Sequence, residues 1–275
     1  MSGKKKAPYD VIRKKVNQYV SEHIDDIFYD KRIKKLKEKS SEALLIKLLR
    51  AKNPYMLRTV NCDTAEKLIK RIVGDSMSSS DEGMFGIFLE GLAIEISSIA
   101  IGGKKASAEG IDIDADYEKK RYQIAVKSGR VWGNAQSQKK QKDNFKQVAQ
   151  TLKRHPDVEP VCILGICYGS LKESAVDKVI YQELVGERFW TFISGGHKKL
   201  YTDLIEPLAK KAIKHEEGYE KEYARTINRL VKLFTAHFVN EEGDIDWNKV
   251  VEFNSGADQE HRKIFTGKHR TRLLT

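Results

Sequence analysis

A chain of 275 residues can bury a sizeable core in one large or two modest domains, and 40% hydrophobic with 32% charged residues describes a globular protein with a polar surface. No apolar run approaches the roughly 20 residues needed to cross a bilayer, and the basic start leads into no apolar signal segment, so the chain is expected in the cytoplasm without a membrane span. Fifty Lys and Arg against 39 Asp and Glu, a net charge of +11, favour a polyanionic partner, although charge alone leaves a merely basic protein possible. Three cysteines (Cys62, Cys162, Cys167) without CxxC spacing suit a reducing compartment and supply no zinc site.

In chain order, residues 9–50 are predicted to be helical. Val11, Val16, Val20, Ile24 and Ile27 recur at helical steps, and a second run follows over 31–49, whose Lys and Arg read as a solvated face. Asn53-Pro54 interrupts the pattern, and Asp63-Thr64 offers an N-cap to a short helix over 64–73. Residues 74–83, rich in Ser, Gly and acids, read as a flexible connection. Over 84–99 the apolar residues are nearly continuous (Phe85, Ile87, Phe88, Leu89, Leu92, Ile94, Ile96), a buried helix interrupted by Glu90 and Glu95. A buried acid is costly unless something positive meets it.

Residues 110–116 and 121–128 read as two strands joined by a short charged turn, 135–153 as a helix, 161–168 as a central buried strand and 178–184 as another strand. Helix resumes at Phe189 and continues, heavily charged, over 199–238 and 247–253. Strands alternating with helices between helical ends predict an α/β fold, a mixed central sheet flanked by helices with a helical appendage. The appendage is expected to pack against a second copy of the chain.

Two segments carry chemistry: Glu109-Gly-Ile-Asp112-Ile-Asp114-Ala-Asp116 and Gln123-Ile-Ala-Val-Lys127. Alternate side chains of a strand share a face. Asp112 and Asp114 are therefore expected on one face with Ile111 and Ile113 directed to the core, and Gln123, Ala125 and Lys127 on one face opposite Ile124 and Val126. A hairpin centred between Lys119 and Lys120 would set Asp112 across from Lys127. Hydrolysis of a phosphodiester needs charge neutralisation at the phosphoryl oxygens and an activated water. A carboxylate pair holding Mg²⁺ can supply the first, and a lysine near the water the second. Glu90 is the natural second carboxylate. The bland alternative is an ordinary cross-strand ion pair between Asp112 and Lys127. A calcium loop, imitated by Asp112-x-Asp114-x-Asp116, fails because Tyr117 stands where glycine is needed and Gln123 where the bidentate glutamate belongs.

Beyond Lys127, the residues Ser128, Arg130, Asn134, Gln136, Gln138, Lys139, Lys140 and Lys142 join phosphate-binding cations to amides able to pair with adenine edges. They suit a DNA-reading loop and helix start, with a solvated helix as the plain alternative. Trp132 reads as loop packing. His155, His197, His215 and His237 have no metal-ligand spacing and read as surface or packing residues. The acid-free end, His261 to Thr275, is a further candidate for phosphate contact or a loose tail.

An acid on a helix, Ile-Asp on one strand and x-x-Lys on the next resemble the PD-(D/E)xK nuclease superfamily. Within it the chain is similar to the EcoO-type restriction enzymes that cut interrupted palindromes built around GGNCC. The likeness includes Asn53-Pro54-Tyr55-Met56, Phe85-Gly86, Val126-Lys127-Ser128-Gly129, Tyr168-Gly169, Gly186-Glu-Arg-Phe189-Trp190 and Trp247-Asn-Lys-Val-Val-Glu, roughly residues 50–255. It implies a type II restriction endonuclease: a homodimer with a restriction-endonuclease-like catalytic core over 61–198 and helical dimerisation regions over 1–60 and 199–275. Such an enzyme cuts both DNA strands with Mg²⁺ at a short palindrome and is paired functionally with a DNA methyltransferase acting on the same site. By this resemblance Asp112 matches the metal-binding aspartate, Lys127 the catalytic lysine, and the Val126 carbonyl a further metal ligand. Gly110-Ile111 stands where proline is usual before the aspartate. Ala125 occupies the place of the second acid, which passes that role to Glu90 first and Asp114 second. A repair or recombination nuclease of the same fold, and a basic nucleic-acid-binding protein without catalysis, are the competing readings.

Overall fold

The computed structural model describes residues 7–37, 40–154, 159–170, 177–178 and 180–256. His155 and the basic end from His261 to Thr275 lie outside the described residues. The first helix, α1 (Tyr9–Ile24), buries Ile12, Val16, Val20 and Ile24 on one stripe and passes into a π-helical turn, Asp25–Tyr29. Helices α2 (Asp30–Leu36) and α3 (Ser41–Ala51) follow, the second capped by Ser40 Oγ, which accepts from the Ala43 N–H. Asn53-Pro54 does interrupt the helical pattern, but as a restart. Asn53 Oδ1 caps α4 (Pro54–Thr59), and proline takes the first turn, where its missing N–H costs nothing.

The connection expected over 74–83 is helical instead: α5 runs unbroken from Ala65 to Ala100. The segment holds no proline, and Met77 is buried among Leu68, Ile69, Ile72 and Val73, so tertiary packing outweighs the weak helix propensity of its Ser, Gly and Asp residues. This helix is long and apolar enough, by length and composition, to cross a membrane, which corrects the expectation drawn from apolar runs. Its apolar side chains are taken up by two protein cores, one holding Leu68 to Met77 and the other Phe88 to Ala100.

Strands β1 (Lys104–Lys105), β2 (Ile113–Tyr117) and β3 (Lys120–Lys127) are followed by α6 (Ala135–Leu152), β4 (Glu159–Ile166), β5 (Asp177–Lys178) and β6 (Tyr181–Val185). They form one mixed sheet in the order β1-β2-β3-β4-β6-β5, antiparallel at both edges and parallel along β3, β4 and β6. Both faces are covered. Ile113, Ala115, Ile124, Val126 and Ile163 pack with α1 and α5, while Ile111, Ala125, Cys162 and Leu164 pack with Phe145 of α6. The parallel strands are correspondingly apolar on both faces. Among the described residues four further helices follow: α7 (Glu187–Ile193), α8 (Leu200–Asp203), α9 (Ile205–Phe238) and α10 (Trp247–Ser255).

The chain divides into two units, and neither is a consecutive stretch. The sheet-bearing unit joins the residues up to Tyr29 to Glu82–Lys214, and the helical unit joins Asp30–Asp81 to the residues from His215 on. This differs from the linear division at 60 and 198. Helix α1, expected within the first helical region, contributes its buried stripe to the core against the sheet. The helical unit has its own core, in which Leu45, Leu57, Leu68, Leu230, Phe234, Phe238 and Phe253 are almost wholly buried.

Candidate active site

The β2–β3 hairpin turns at Glu118 and Lys119, both with positive φ (49° and 64°), the geometry of a two-residue type I′ turn. The register is thereby Ile113↔Ile124 through Tyr117↔Lys120, two residues from the one expected. The ladder ends at Ile113↔Ile124, so Asp112 lies just beyond it and is not paired with Lys127. Neither Glu118 nor Lys119 is a residue that favours a left-handed conformation, so the turn carries no signal in the sequence. Among the described residues no ion pair joins Asp112 to Lys127, which removes the plain cross-strand pair as the reason for their presence.

Asp112 is positioned by the backbone. Its N–H donates to the Ile124 carbonyl at 2.8 Å, one residue out of step with the ladder, and its Oδ2 accepts the Val126 N–H at 2.6 Å. The slip places Ile111 in the core against α6 and Ile113 in the core against α5, so the two isoleucines expected on one face lie on opposite faces. Just upstream, Gly110 has φ of +70°, and a Cβ there would meet Asn144 Nδ2 at 2.1 Å. The buried Gln141 donates to the Gly110 carbonyl at 2.8 Å and ties this bend to α6.

Consecutive peptide groups of a strand point to opposite edges. The Lys127 carbonyl accepts from the Cys167 N–H beside β4, so the Val126 carbonyl points to the other edge, where Asp112 lies. Helix α5 reaches the same place: a Cβ on Gly86 would stand 3.5 Å from Ser128 Cβ, and Glu90 follows one turn later. Burial, and then the negative charge of Asp112, push the Glu90 carboxyl above the usual carboxylate range, against the opposing charges of Lys105 and Lys127. Lys105 Nζ lies 3.6 Å from Glu90 Oε1. The other acid of this helix, Glu95, meets Lys15 at 2.6 Å. Both acids therefore have the positive partner that their burial requires.

Asp114 is placed differently. Its carboxylate receives Arg121 through Nε and Nη2 (2.9 and 2.7 Å) and Gln123 Nε2 (2.6 Å). Burial alone would raise its pKa, but these bonds and the Arg121 charge outweigh it and hold the carboxyl below its ordinary range. Glu90 and Asp112 thus share one electrostatic neighbourhood with Lys127, while Asp114 is committed to Arg121 and Gln123. Among the described residues no three His, Cys, Asp or Glu side chains gather as a metal site. Two carboxylates and a main-chain carbonyl are nonetheless a donor set that suits Mg²⁺, which is held by one or two carboxylates and otherwise by water.

Of the expected DNA-binding residues, Arg130, Asn134, Gln136, Gln138, Lys139, Lys140 and Lys142 are exposed and Ser128 is half-buried. Several have local work. Asn134 Oδ1 caps α6 by accepting from the Ser137 N–H at 2.9 Å, Arg130 Nη1 donates to the Ser170 carbonyl at 2.7 Å, and Lys140 pairs with Glu109 at 2.7 Å. Trp132 is half-buried against the Phe145 core, its ring centre 5.5 Å from Lys127 Nζ. Lys105 went unnoticed in the sequence, because only the pairing of the short β1 with β2 brings it to Glu90. The His197 ring packs at a tilt against Tyr9 and its Nε2 lies 2.9 Å from the Ala7 carbonyl, a packing role.

Dispersed sequence motifs converge at the carboxyl ends of β3, β4 and β6, where open α/β sheets bind ligands. A Cβ on Gly129 would enter the Tyr168 ring, one on Gly186 would meet the Gly169 carbonyl, and one on Gly165 would enter the Phe189 ring. Trp190 Nε1 donates to the Cys167 carbonyl at 2.8 Å. No curated relative matches the chain. The family model described as type II restriction endonuclease EcoO109I matches residues 14–216, most of the chain and all of the site just described. The chain therefore belongs to the EcoO109I family of type II restriction endonucleases, site-specific deoxyribonucleases that act on DNA.

Proposed function

We propose that this protein is a Mg²⁺-dependent, homodimeric restriction endonuclease of the PD-(D/E)xK kind, which hydrolyses both strands of DNA at a short palindrome related to interrupted GGNCC sites. The observation that carries this reading is the meeting of Glu90, Asp112 and Lys127 at the carboxyl end of β3, with Asp112 Oδ2 held on the Val126 N–H at 2.6 Å.

Glu90, Asp112 and the Val126 carbonyl would hold the cation, which when bound supplies charge neutralisation at the phosphoryl oxygens. Asp112 keeps its orientation because one oxygen is anchored to the strand. Asp114, already bound to Arg121, is a structural residue of the hairpin and not the second carboxylate. Lys127, leaving the end of the same strand, orients the attacking water and helps remove its proton. Ser128, Arg130, Gln136, Gln138, Lys139, Lys140 and Lys142 contact the duplex on the adjoining loop and helix, and Asn134 shapes that helix start. The helical unit provides the dimer contact. A methyltransferase of the same specificity protects the host site, and both enzymes act in the cytoplasm.

The test is incubation of the purified protein with phage DNA, in Mg²⁺ or in EDTA, alongside Lys127→Ala. Discrete fragments that need both Mg²⁺ and Lys127 support the reading, and end-sequencing of the fragments then reads the site. A smear, or a preference for junctions, points to a repair nuclease. Intact DNA under every condition overturns the catalytic assignment.

A further inference from the structure

Among the described residues of the sheet-bearing unit Val131 is the most exposed large apolar side chain, at 103% of its full area, and it lies four residues beyond Lys127. A lone surface aliphatic is ordinary, but the way this one is held is not. On one side, Gly129 lies so close to Tyr168 that a Cβ would stand 2.5 Å from the ring, and Arg130 Nη1 donates to the Ser170 carbonyl at 2.7 Å. On the other, Trp132 packs into the core with Ile111 and Phe145, and Gly133 turns with φ of +60° toward the Asn134 cap of α6. The loop is fastened before and after one side chain that projects into solvent.

A further exposed apolar residue stands on the same rim: Tyr168 is 51% exposed beside Gly129. An uncharged aliphatic gains nothing from a phosphate. Against DNA it can gain only from the apolar parts of the bases, thymine methyls and the faces of opened steps. Its contribution therefore belongs to the sequence-specific complex and not to general electrostatic attraction.

We propose that Val131 is a base-contacting residue, an apolar finger that enters a groove of the duplex beside the scissile phosphate and sets the specificity of the complex. This rests on the nuclease reading above. The test compares wild type with Val131→Ala and with Val131→Thr, which keeps the shape and adds a hydroxyl. Binding is measured to a duplex carrying the site mapped from wild-type digests and to one lacking it, over a range of salt, with Ca²⁺ in place of Mg²⁺. The expected result is a loss of specific affinity on the order of tenfold for both variants, comparable to one mismatched base pair. Nonspecific affinity, salt slope and melting temperature should not change, because Val131 supports no packing. Unchanged specific binding, or an equal loss on both duplexes, overturns the proposal while leaving the nuclease reading intact. Failure of wild type itself to bind or cut any DNA overturns the nuclease reading, and this proposal with it.

Discussion

The backbone N–H of Val126 donates to Oδ2 of Asp112 at 2.6 Å, so the strand that carries Lys127 also orients the carboxylate of its neighbour. Replacing Asp112 by Asn keeps the size and an acceptor oxygen for this bond while removing the charge. The expected result is loss of cleavage with near-normal melting temperature and DNA binding, read by single-turnover cleavage and a thermal melt. Cleavage at the wild-type rate would remove Asp112 from the metal set.

Glu90 and Asp114 were the two candidates for the second carboxylate, and their surroundings separate them. Glu90→Gln should abolish Mg²⁺-dependent cutting, whereas Asp114→Asn should keep it and lose stability. Cleavage by both variants under saturating Mg²⁺ decides the matter, and the opposite pattern would reverse the assignment.

Lys127→Ala should lower the single-turnover rate by about 10²- to 10⁴-fold, the usual range for a group that transfers a proton. DNA affinity should fall only slightly, because the loop and helix residues beyond it carry the phosphate contacts. A large loss of affinity with an unchanged rate at saturation would make Lys127 a binding residue.

Asp114 has a pH signature. Its folded pKa is held below the ordinary aspartate value, so the unfolded chain takes up the proton more readily. Its contribution to stability is complete above the ordinary value of 3.8 and is lost as pH falls through the lower, folded value. Arg121→Ala should weaken this acid dependence, Gln123 being left as a partner, and lower stability by about 2 kcal/mol, less than for a fully buried pair, since the Arg121 side chain is 29% exposed. Melting temperatures at pH 3 to 7, about the range in which carboxylates titrate, would show it. Parallel curves for wild type and variant would exclude the pair as the cause.

Lys139→Gln and Lys142→Gln should each reduce the slope of log affinity against log salt by about one, with nearly the same loss on every duplex. Lys140→Gln should do less, because Lys140 is already paired with Glu109 at 2.7 Å. Unchanged slopes for Lys139 and Lys142 would take the start of α6 out of the interface.

Some of this was legible in the chain alone, because it depends on local periodicity. The alternation in Ile113-Asp-Ala-Asp and Gln123-Ile-Ala-Val-Lys127 marked two strands. The continuous apolar run from Val161 marked the central strand, and the segment over 135–153 marked α6. The residues of the site were also named from type and spacing. Other features depend on partners far away in sequence. The register of the hairpin follows from positive φ at Glu118 and Lys119, residues that do not favour it, and it leaves Asp112 just beyond the ladder and not across from Lys127. The unbroken course of α5 through 74–83 goes with the burial of Met77 against distant residues, which the local composition of that window does not show. Lys105 reaches Glu90 only because β1 pairs with β2, and Asp114 is set apart from Asp112 only because Arg121 closes on it. Sequence alone determined which residues could be named as candidates, since periodicity and side-chain type are local. Tertiary structure decided which of them meet, since register, burial and long-range ion pairs are settled only when distant segments pack together.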